Sequence, residues 1–482
     1  MKLILFVILY FTIACKCLAQ NSGSGKSIDV LKNETAKNIQ TSYEVLKKIA
    51  LSIWEYAELG YKEFKSSVLL QNTLKDNEFT VQTGVAGIPT AFVATYGSGT
   101  PVIGILAEFD ALPGLSQDNS PSKAPVANNN NGHGCGHHLF GTGSVAAGIA
   151  IKQLLKDGSI KGTVKVFGCP AEEGGSGKVY MVREGLFKNV DVVIHWHPAD
   201  NNSVIYTSSL ANKSAKFRFN GISSHASMMP EQGRSSLDAV EAMDNMVNMM
   251  REHVPQESRI HYVITNGGKA PNVVPDFAEV YYVIRNPERS YVESIFNRVI
   301  KAAEGAALGT ETKMEYEVIS GVHDLLINKS LAISMQANLE KIGGVSYTPD
   351  EKLFAKKIQG SFLGKIPPIE DANLIMPLHI DKNLGSTDVG DVSYVVPTVG
   401  LGSATWVSGT SAHSWQAVAC GGTDIGIKGM IVAAKTMAFT AIDLFLTPAL
   451  IVKAKEEFTK SIGDYQYKAL IGDRKPALNY RD

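Results

Sequence analysis

The sequence predicts an α/β fold, a mostly parallel sheet with helices on both faces, interrupted by an inserted ferredoxin-like α+β domain. Three observations carry this expectation. From residue 101 to 196, short apolar runs suited to buried strands alternate with helical stretches, which is the rhythm of a parallel sheet covered on both sides. From 212 to 322 the order becomes strand, helix, strand, strand, helix, strand, that of a split ferredoxin-like unit. The composition, 44% hydrophobic and 19% charged over 482 residues, is that of a globular chain long enough for more than one core.

Taken in order, the chain opens on Lys2, an apolar run from Leu3 to Ala14, and a small-residue exit through Cys15, Cys17 and Ala19. This reads as a signal peptide over residues 1–19 and is too short to cross a bilayer as a helix. It predicts an exported protein, periplasmic or secreted, with cleavage after Ala19 preferred to lipid anchoring through Cys15 and with no transmembrane helix in the mature chain. Helical spacing begins at Asp29 and runs to Phe79, with Leu46, Ile49 and Ile53 on one face. Pro101–Phe109 contains the strand run Val102, Ile103, Ile105 and Leu106, and Gly141–Leu155 is a helix rich in Ala and Gly. Thr163–Cys169 is a strand, Lys178–Leu186 a helix, and Asp191–Trp196 a further strand.

In the inserted unit, Ser214–Asn220, Arg259–Thr265, Phe277–Arg285 and Lys313–Ser320 are strands. Ser236–Glu252 and Tyr291–Ala307 are the helices between them, and the Met side chains of the first belong to its core or to an interface. Helical character resumes at Asn328–Ile342. The Pro-, Gly- and Lys-rich stretch from Ser346 to Leu384 takes no assignment, and Ile425–Leu444 reads as a buried closing helix. The larger domain is therefore split into 27–211 and 323–482, with 212–322 inserted.

A net charge of −1 carries no basic surplus for nucleic acid and no acidic tail. Beyond the leader only Cys135, Cys169 and Cys420 remain. They are too few and too far apart for a disulfide framework, so a retained thiol invites another reason, of which metal ligation is one.

The densest local signal is Asn131-Gly-His133-Gly-Cys135-Gly-His137-His138. A thiolate and an imidazole two residues apart can face one ion from extended backbone, and the flanking glycines allow close approach. Glu172 and Glu173 follow a predicted buried strand, where charge is costly unless a cation pairs with it. Being adjacent, they point different ways, so one can bind metal while the other faces substrate. His195-Trp196-His197-Pro198 ends another strand, and His413 lies in the Gly- and Ser-rich run Ser408–Ser414. Asp110 follows the strand that ends near Phe109. In an open α/β sheet, ligands gather outside the carboxyl ends of the strands, where Asp110, the Glu pair and His197 all fall.

These motifs resemble the zinc- or manganese-dependent aminoacylase and carboxypeptidase family, in its amidohydrolase branch. The resemblance covers nearly the whole chain beyond the leader. It runs from Glu108-Phe-Asp110-Ala-Leu-Pro113, Gly132–His138, Pro170–Gly174 and Asp191–Pro198 through Gly221-Ile-Ser-Ser-His225-Ala and Asn272-Val-Val-Pro-Asp276. It continues with Arg285 and Ser386-Thr-Asp388 and ends with Ser411-Ala-His413-Ser. It implies a di-metal exopeptidase-like catalytic domain with an inserted lid or dimerisation domain. It implies two divalent ions, manganese or zinc, held by Cys135, His137, Glu173, His197 and His413. Glu172 matches the general base and Asp110 a further catalytic position. His225 matches a residue that reaches the partner subunit's active site, and Asn272 and Arg285 match substrate-binding positions. His138 and Glu108 stand where relatives usually carry other residues, and neither belongs to the implied ligand set.

The activity so implied is hydrolysis of the amide bond of an N-acyl or N-aroyl amino acid, with aminobenzoyl-glutamate the first candidate. The partners implied are a homodimer or a related second subunit. A general N-acyl-amino-acid hydrolase or metallo-carboxypeptidase is the alternative. A non-catalytic binding protein on the same fold is a third reading, which loss of Glu172 or of a ligand would have marked; none is missing.

Overall fold

A computed structural model describes residues 26–380 and 384–481; the leader Met1–Ala19 lies outside the described residues. Helices α1 (Ile28–Thr41), α2 (Tyr43–Tyr56) and α3 (Phe64–Asp76) come first. Leu46, Ile49, Ala50 and Ile53 form the buried stripe of α2, as the spacing of three and four requires.

The main sheet follows: β1 (Thr80–Thr83), β2 (Phe92–Gly97), β3 (Val102–Glu108), α4 (His137–Lys156), β4 (Thr163–Cys169), α5 (Gly177–Arg183), β5 (Val192–Ala199) and β6 (Ser203–Ile205). The chain then leaves for the insert, made of β7 (Ala211–Asn220), α6 (Ser236–Met250), β8 (Arg259–Asn266), β9 (Phe277–Asn286), α7 (Arg289–Thr310) and β10 (Lys313–Val322). It returns through α8 (Lys329–Ile342), α9 (Pro349–Gln359), β11 (Thr398–Ala404), α10 (Trp415–Gly421), α11 (Asp424–Leu446) and α12 (Pro448–Ile462).

The main sheet has the order β1-β2-β4-β3-β5-β11-β6. Its four central strands, β4, β3, β5 and β11, run parallel, while β1, β2 and β6 are antiparallel to their neighbours. The parallel centre is as predicted; the antiparallel margins are an addition. Both faces are covered. Val166 of β4 lies against α4 where Gly148 admits it, and Phe167, pointing the other way, stacks on Phe187 at 4.4 Å.

Helix α11 is long and apolar enough to cross a membrane by composition alone, but 83% of its most apolar window is buried. It packs on α1, α4, α8 and β11 and is a core helix. The insert is a four-stranded antiparallel sheet of order β8-β9-β7-β10 with α6 and α7 on one face and its own core of Phe217, Val240, Met243, Tyr282 and Phe296. Met243, Val247 and Met250 of α6 are buried there.

The unassigned stretch after Ser346 holds α9, which starts in a capping box. The Thr348 side chain accepts from Glu351 N–H, and Glu351 accepts from Thr348 N–H, with Pro349 in the first turn. That signal was present in Thr348-Pro-Asp-Glu351.

Candidate active site

The four parallel strands deliver their carboxyl ends to one place. Glu108 ends β3 and Asp110 stands beyond it; beyond β4 stand Glu172 and Glu173; on β5, His197; and beyond β11, His413. Cys135 and His137 arrive on the turn into α4, where Gly136 takes φ +74. The resulting cluster is compact. Ligand atoms of Cys135, His137 and His197 lie within 4.8 Å of one another, and so do those of Cys135, Glu173 and His413. The two triads share Cys135. Its Sγ is 3.4 Å from His197 Nε2, and His413 Nε2 is 3.1 Å from Glu173 Oε1.

The donor set fits divalent metal by its chemistry and by what is left unpaired. His197 Nδ1 donates to Pro198 O at 2.7 Å and His137 Nδ1 donates to Asp110 Oδ1 at 2.9 Å. This leaves both Nε2 lone pairs facing inward, the orientation that outer hydrogen bonds impose on ligating imidazoles. His137 Nε2 and Glu173 Oε1 are buried and make no well-aligned hydrogen bond, facing Glu108 Oε2 and His413 Nε2 at 3.1 Å each, an arrangement that is costly unless a cation sits among them. Burial pushes the Cys135 thiol up, whereas binding to a metal ion would deprotonate it. Asp110 touches His137 and, through Oδ2, the backbone N–H of Glu173 at 2.9 Å. Its place is to orient two members of the cluster.

A third grouping, Glu108, His137 and Glu172, also falls within 4.8 Å; Glu108 Oε2 faces His137 Nε2 at 3.1 Å, while its Oε1 is held from the other side. Lys178, fully buried, lies 2.6 Å from Glu108 Oε1 and 2.6 Å from Asp388 Oδ1, and its backbone N–H donates to Asp388 Oδ2 at 2.9 Å. No reading of single motifs found Lys178, because it sits at the first turn of a helix whose sequence looks ordinary. Glu172 faces this acidic group. Burial first, then Glu108, Glu173 and Asp388, push its carboxyl well above the usual range, which suits a group that takes and returns a proton.

The turn carrying the Glu pair is held in unusual backbone: Ala171 at φ +56, Ser176 at φ +58 and Gly174 at φ +94. Left-handed conformations at the two non-Gly residues cost about 1–3 kcal/mol each and persist where surrounding contacts enforce them. Glu63 is one enforcer. It is buried, accepts from Ala171 N–H at 2.8 Å, and is pushed up to about 8 by burial and by Asp110.

The remaining histidines of the motifs are structural. His133 Nε2 donates to Ile53 O and His138 Nε2 to Gly421 O, both at 3.0 Å. Burial pushes His133 down to about 4 and His138 well below its usual value, so both are neutral. Burial likewise pushes His195 down to about 3, and its ring lies against Gly400, where any Cβ would fall 2.3 Å from Nε2.

The residues expected from the insert do not lie together. His225 and Asn272 are neighbours: Ala226 N–H donates to Asn272 O at 3.0 Å, and His225 bridges Val273. They sit beyond the ends of β7 and β9 that point away from the connections to the main domain. Arg285 is at the opposite end of β9, in register with Asn212, which in turn pairs with Val322. Eight residue steps lead from Phe277 to Arg285, about 27 Å at about 3.4 Å per step. His225 Nδ1 lies 3.3 Å from Ser227 N and 3.2 Å from Met228 N, and accepts from them. The proton therefore belongs on Nε2, which is left as an outward donor.

A parallel-centred sheet with a Cys, His and Glu cluster at its strand ends and an inserted antiparallel domain defines a metal-dependent hydrolase. The chain belongs to the family described as peptidase family M20/M25/M40, whose pattern matches residues 104–362. Over 436 residues it is 42% identical to one of the subunits of the p-aminobenzoyl-glutamate hydrolase of Escherichia coli (strain K12), which covers 85% of this chain and 91% of that relative. It is 29% identical to the Xaa-Arg dipeptidase of Mus musculus, over 92% of this chain and 96% of that one. Among solved structures, the aminobenzoyl-glutamate utilization protein from Klebsiella pneumoniae superposes with a TM-score of 0.60 at 17% identity, covering 84% of this chain and 97% of that one.

Proposed function

We propose that this chain hydrolyses the amide bond of N-aroyl or N-acyl amino acids, p-aminobenzoyl-glutamate first, with two divalent ions, zinc or manganese. The observation that carries the reading is the pair of donor triads sharing Cys135 beside Glu172. Cys135, His137 and His197 would hold one ion, and Cys135, Glu173 and His413 the other. When bound, such a pair lowers the pKa of water and polarises a carbonyl. Glu172 takes the proton of the attacking water and returns it to the leaving amine. The Nε2–H of His225 donates to the oxygen on which negative charge develops. Arg285 offers a planar, always-charged fork for the substrate carboxylate.

The 42% identity to the E. coli hydrolase supports the choice of substrate, and that relative's being one subunit of its enzyme supports a related second chain as partner. The likeness to the Xaa-Arg dipeptidase supports a second reading, a dipeptidase. Kinetics on p-aminobenzoyl-glutamate, its analogue without the α-carboxylate, benzoyl-glycine and an Xaa-Arg dipeptide separate the two. Removing the carboxylate will lower kcat/KM by about tenfold or more, and Arg285→Ala will erase most of that difference. Equal rates with and without the carboxylate would refute the clamp, and preference for the dipeptide would favour the second reading.

His225 lies on the far end of the insert, so it is assigned to the active site of the partner subunit. Mixing inactive His225→Ala and Glu172→Gln subunits will restore part of the activity, because some sites in the mixed dimer are complete. Verified mixed dimers that stay inactive remove this role.

A further inference from the structure

The strained turn that carries Glu172 and Glu173 is fastened by the far end of the chain. The Glu173 carbonyl accepts two hydrogen bonds, from Tyr480 Oη at 3.0 Å and from Arg481 Nη2 at 2.6 Å. Three other anchors complete the hold: Glu63 on Ala171 N–H, Asp110 on Glu173 N–H, and Tyr61 Oη on Gly175 O at 2.7 Å. Without Tyr480 and Arg481, nothing else in the described residues holds the carbonyl between Glu173 and Gly174, where φ reverses to +94.

The seat for Tyr480 is built. Its ring meets Tyr61 edge-on at 5.5 Å and 73°, and a Cβ at Gly60 would fall 2.3 Å from its hydroxyl. The segment leading to it is fixed too. Arg183 donates to Gly472 O at 3.0 Å and to Arg474 O at 2.7 Å. Arg474 in turn donates to Ile319 O and, at 3.2 Å, to Glu317 Oε1, both on β10 of the insert. The segment 472–481 is therefore a strap from the inserted domain to the active-site turn.

We propose that Tyr480 and Arg481 are positioning residues for the reaction. By holding the Glu173 carbonyl they set the direction of the Glu173 carboxylate toward its metal ion and of Glu172 toward the substrate. This rests on the assignment of Glu173 as a ligand. Hydrogen bonds one step removed from a ligand typically govern metal affinity by about 10–100-fold, and a guanidinium on a carbonyl is among the stronger of them.

The test uses the full chain, stripped of metal and titrated with Co²⁺ while its visible absorption is followed. Wild type is compared with Tyr480→Phe, Arg481→Ala, Arg481→Lys, the double variant Tyr480→Phe/Arg481→Ala, and Glu173→Gln. The double variant is expected to bind Co²⁺ about tenfold or more weakly. Its kcat falls while KM stays within about twofold, its melting temperature holds, and Arg481→Lys recovers part of both losses. If the double variant does not fold, Tyr480→Phe, which removes one oxygen, carries the same comparison. Wild-type Co²⁺ affinity and kcat in the tail variants, with a metal lost from Glu173→Gln, overturn the positioning role and leave the ligand set standing. A Glu173→Gln protein that keeps both metals overturns the ligand assignment and this inference with it.

Discussion

The Glu172→Gln protein will keep its metal content and lose turnover by about 10²–10⁴-fold, the range for removal of a general acid or base, whereas Glu173→Gln will lose at least one ion. The two residues are adjacent, yet the turn sends them apart. Glu173 Oε1 is buried and faces His413 Nε2 at 3.1 Å. Glu172 looks toward Glu108 and Asp388, which with burial raise its carboxyl well above the usual range. Burial alone would raise Glu173 too, but the imidazoles of His413 and His137 together outweigh burial and Asp110 and hold Glu173 below its ordinary value. One carboxyl is thus kept ready to ligate and its neighbour to carry a proton. Metal analysis of each purified variant, paired with single-turnover kinetics, checks the division. Equal metal loss from both would show that they act as one ligand pair.

Replacing Lys178 by Met will destabilise the metal-free protein by about 3–5 kcal/mol at neutral pH, the cost of leaving a buried charge without its partner. Lys178, Glu108 and Asp388 are all at most 1% exposed at the side chain, so solvent offers no compensation when the ammonium is removed. A surface pair of the same geometry would cost about 1 kcal/mol or less. The deficit has a pH signature. Burial pushes Asp388 up to about 6 even with Lys178 beside it, and removal of the cation moves it further in the same direction. A carboxylate whose folded pKa lies above its unfolded value destabilises the fold above that pKa and ceases to do so once protonated. The deficit of Lys178→Met will therefore shrink as pH falls from about 7.5 to about 5.5. Urea denaturation with chelator at both values measures it, and a deficit that stays constant would mean lost packing and not stranded charge.

Much of this protein is legible along the chain because its chemistry is local. The turn Gly132–His138 and the strand ends of β3, β4 and β5 each offer a candidate ligand or acid by residue type and position. The split ferredoxin-like order of the insert follows from alternation alone. Two of the histidines that made the first motif conspicuous, His133 and His138, are packing residues, since burial makes them neutral and backbone carbonyls satisfy them. Sequence cannot separate a ligating imidazole from a buried one when both stand within the same turn.

What the sequence determined by itself is the class of fold and the kinds of side chain gathered at the strand ends, because both depend on periodicity and side-chain chemistry that neighbours in the chain share. Tertiary structure alone decided three further things. Strand β11, Thr-Val-Gly-Leu-Gly-Ser-Ala, takes no assignment along the sequence; it lies between β5 and β6, and its Gly400 leaves the space that the His195 ring of β5 fills. Lys178 becomes the counter-charge of the site only when β3 and residue 388, 210 positions further on, close around it. Tyr480 and Arg481 reach the Glu173 carbonyl across 307 and 308 residues. In each case the physical reason is the same. The partner that gives the residue its role is brought by packing from a distant part of the chain, and no local pattern records it.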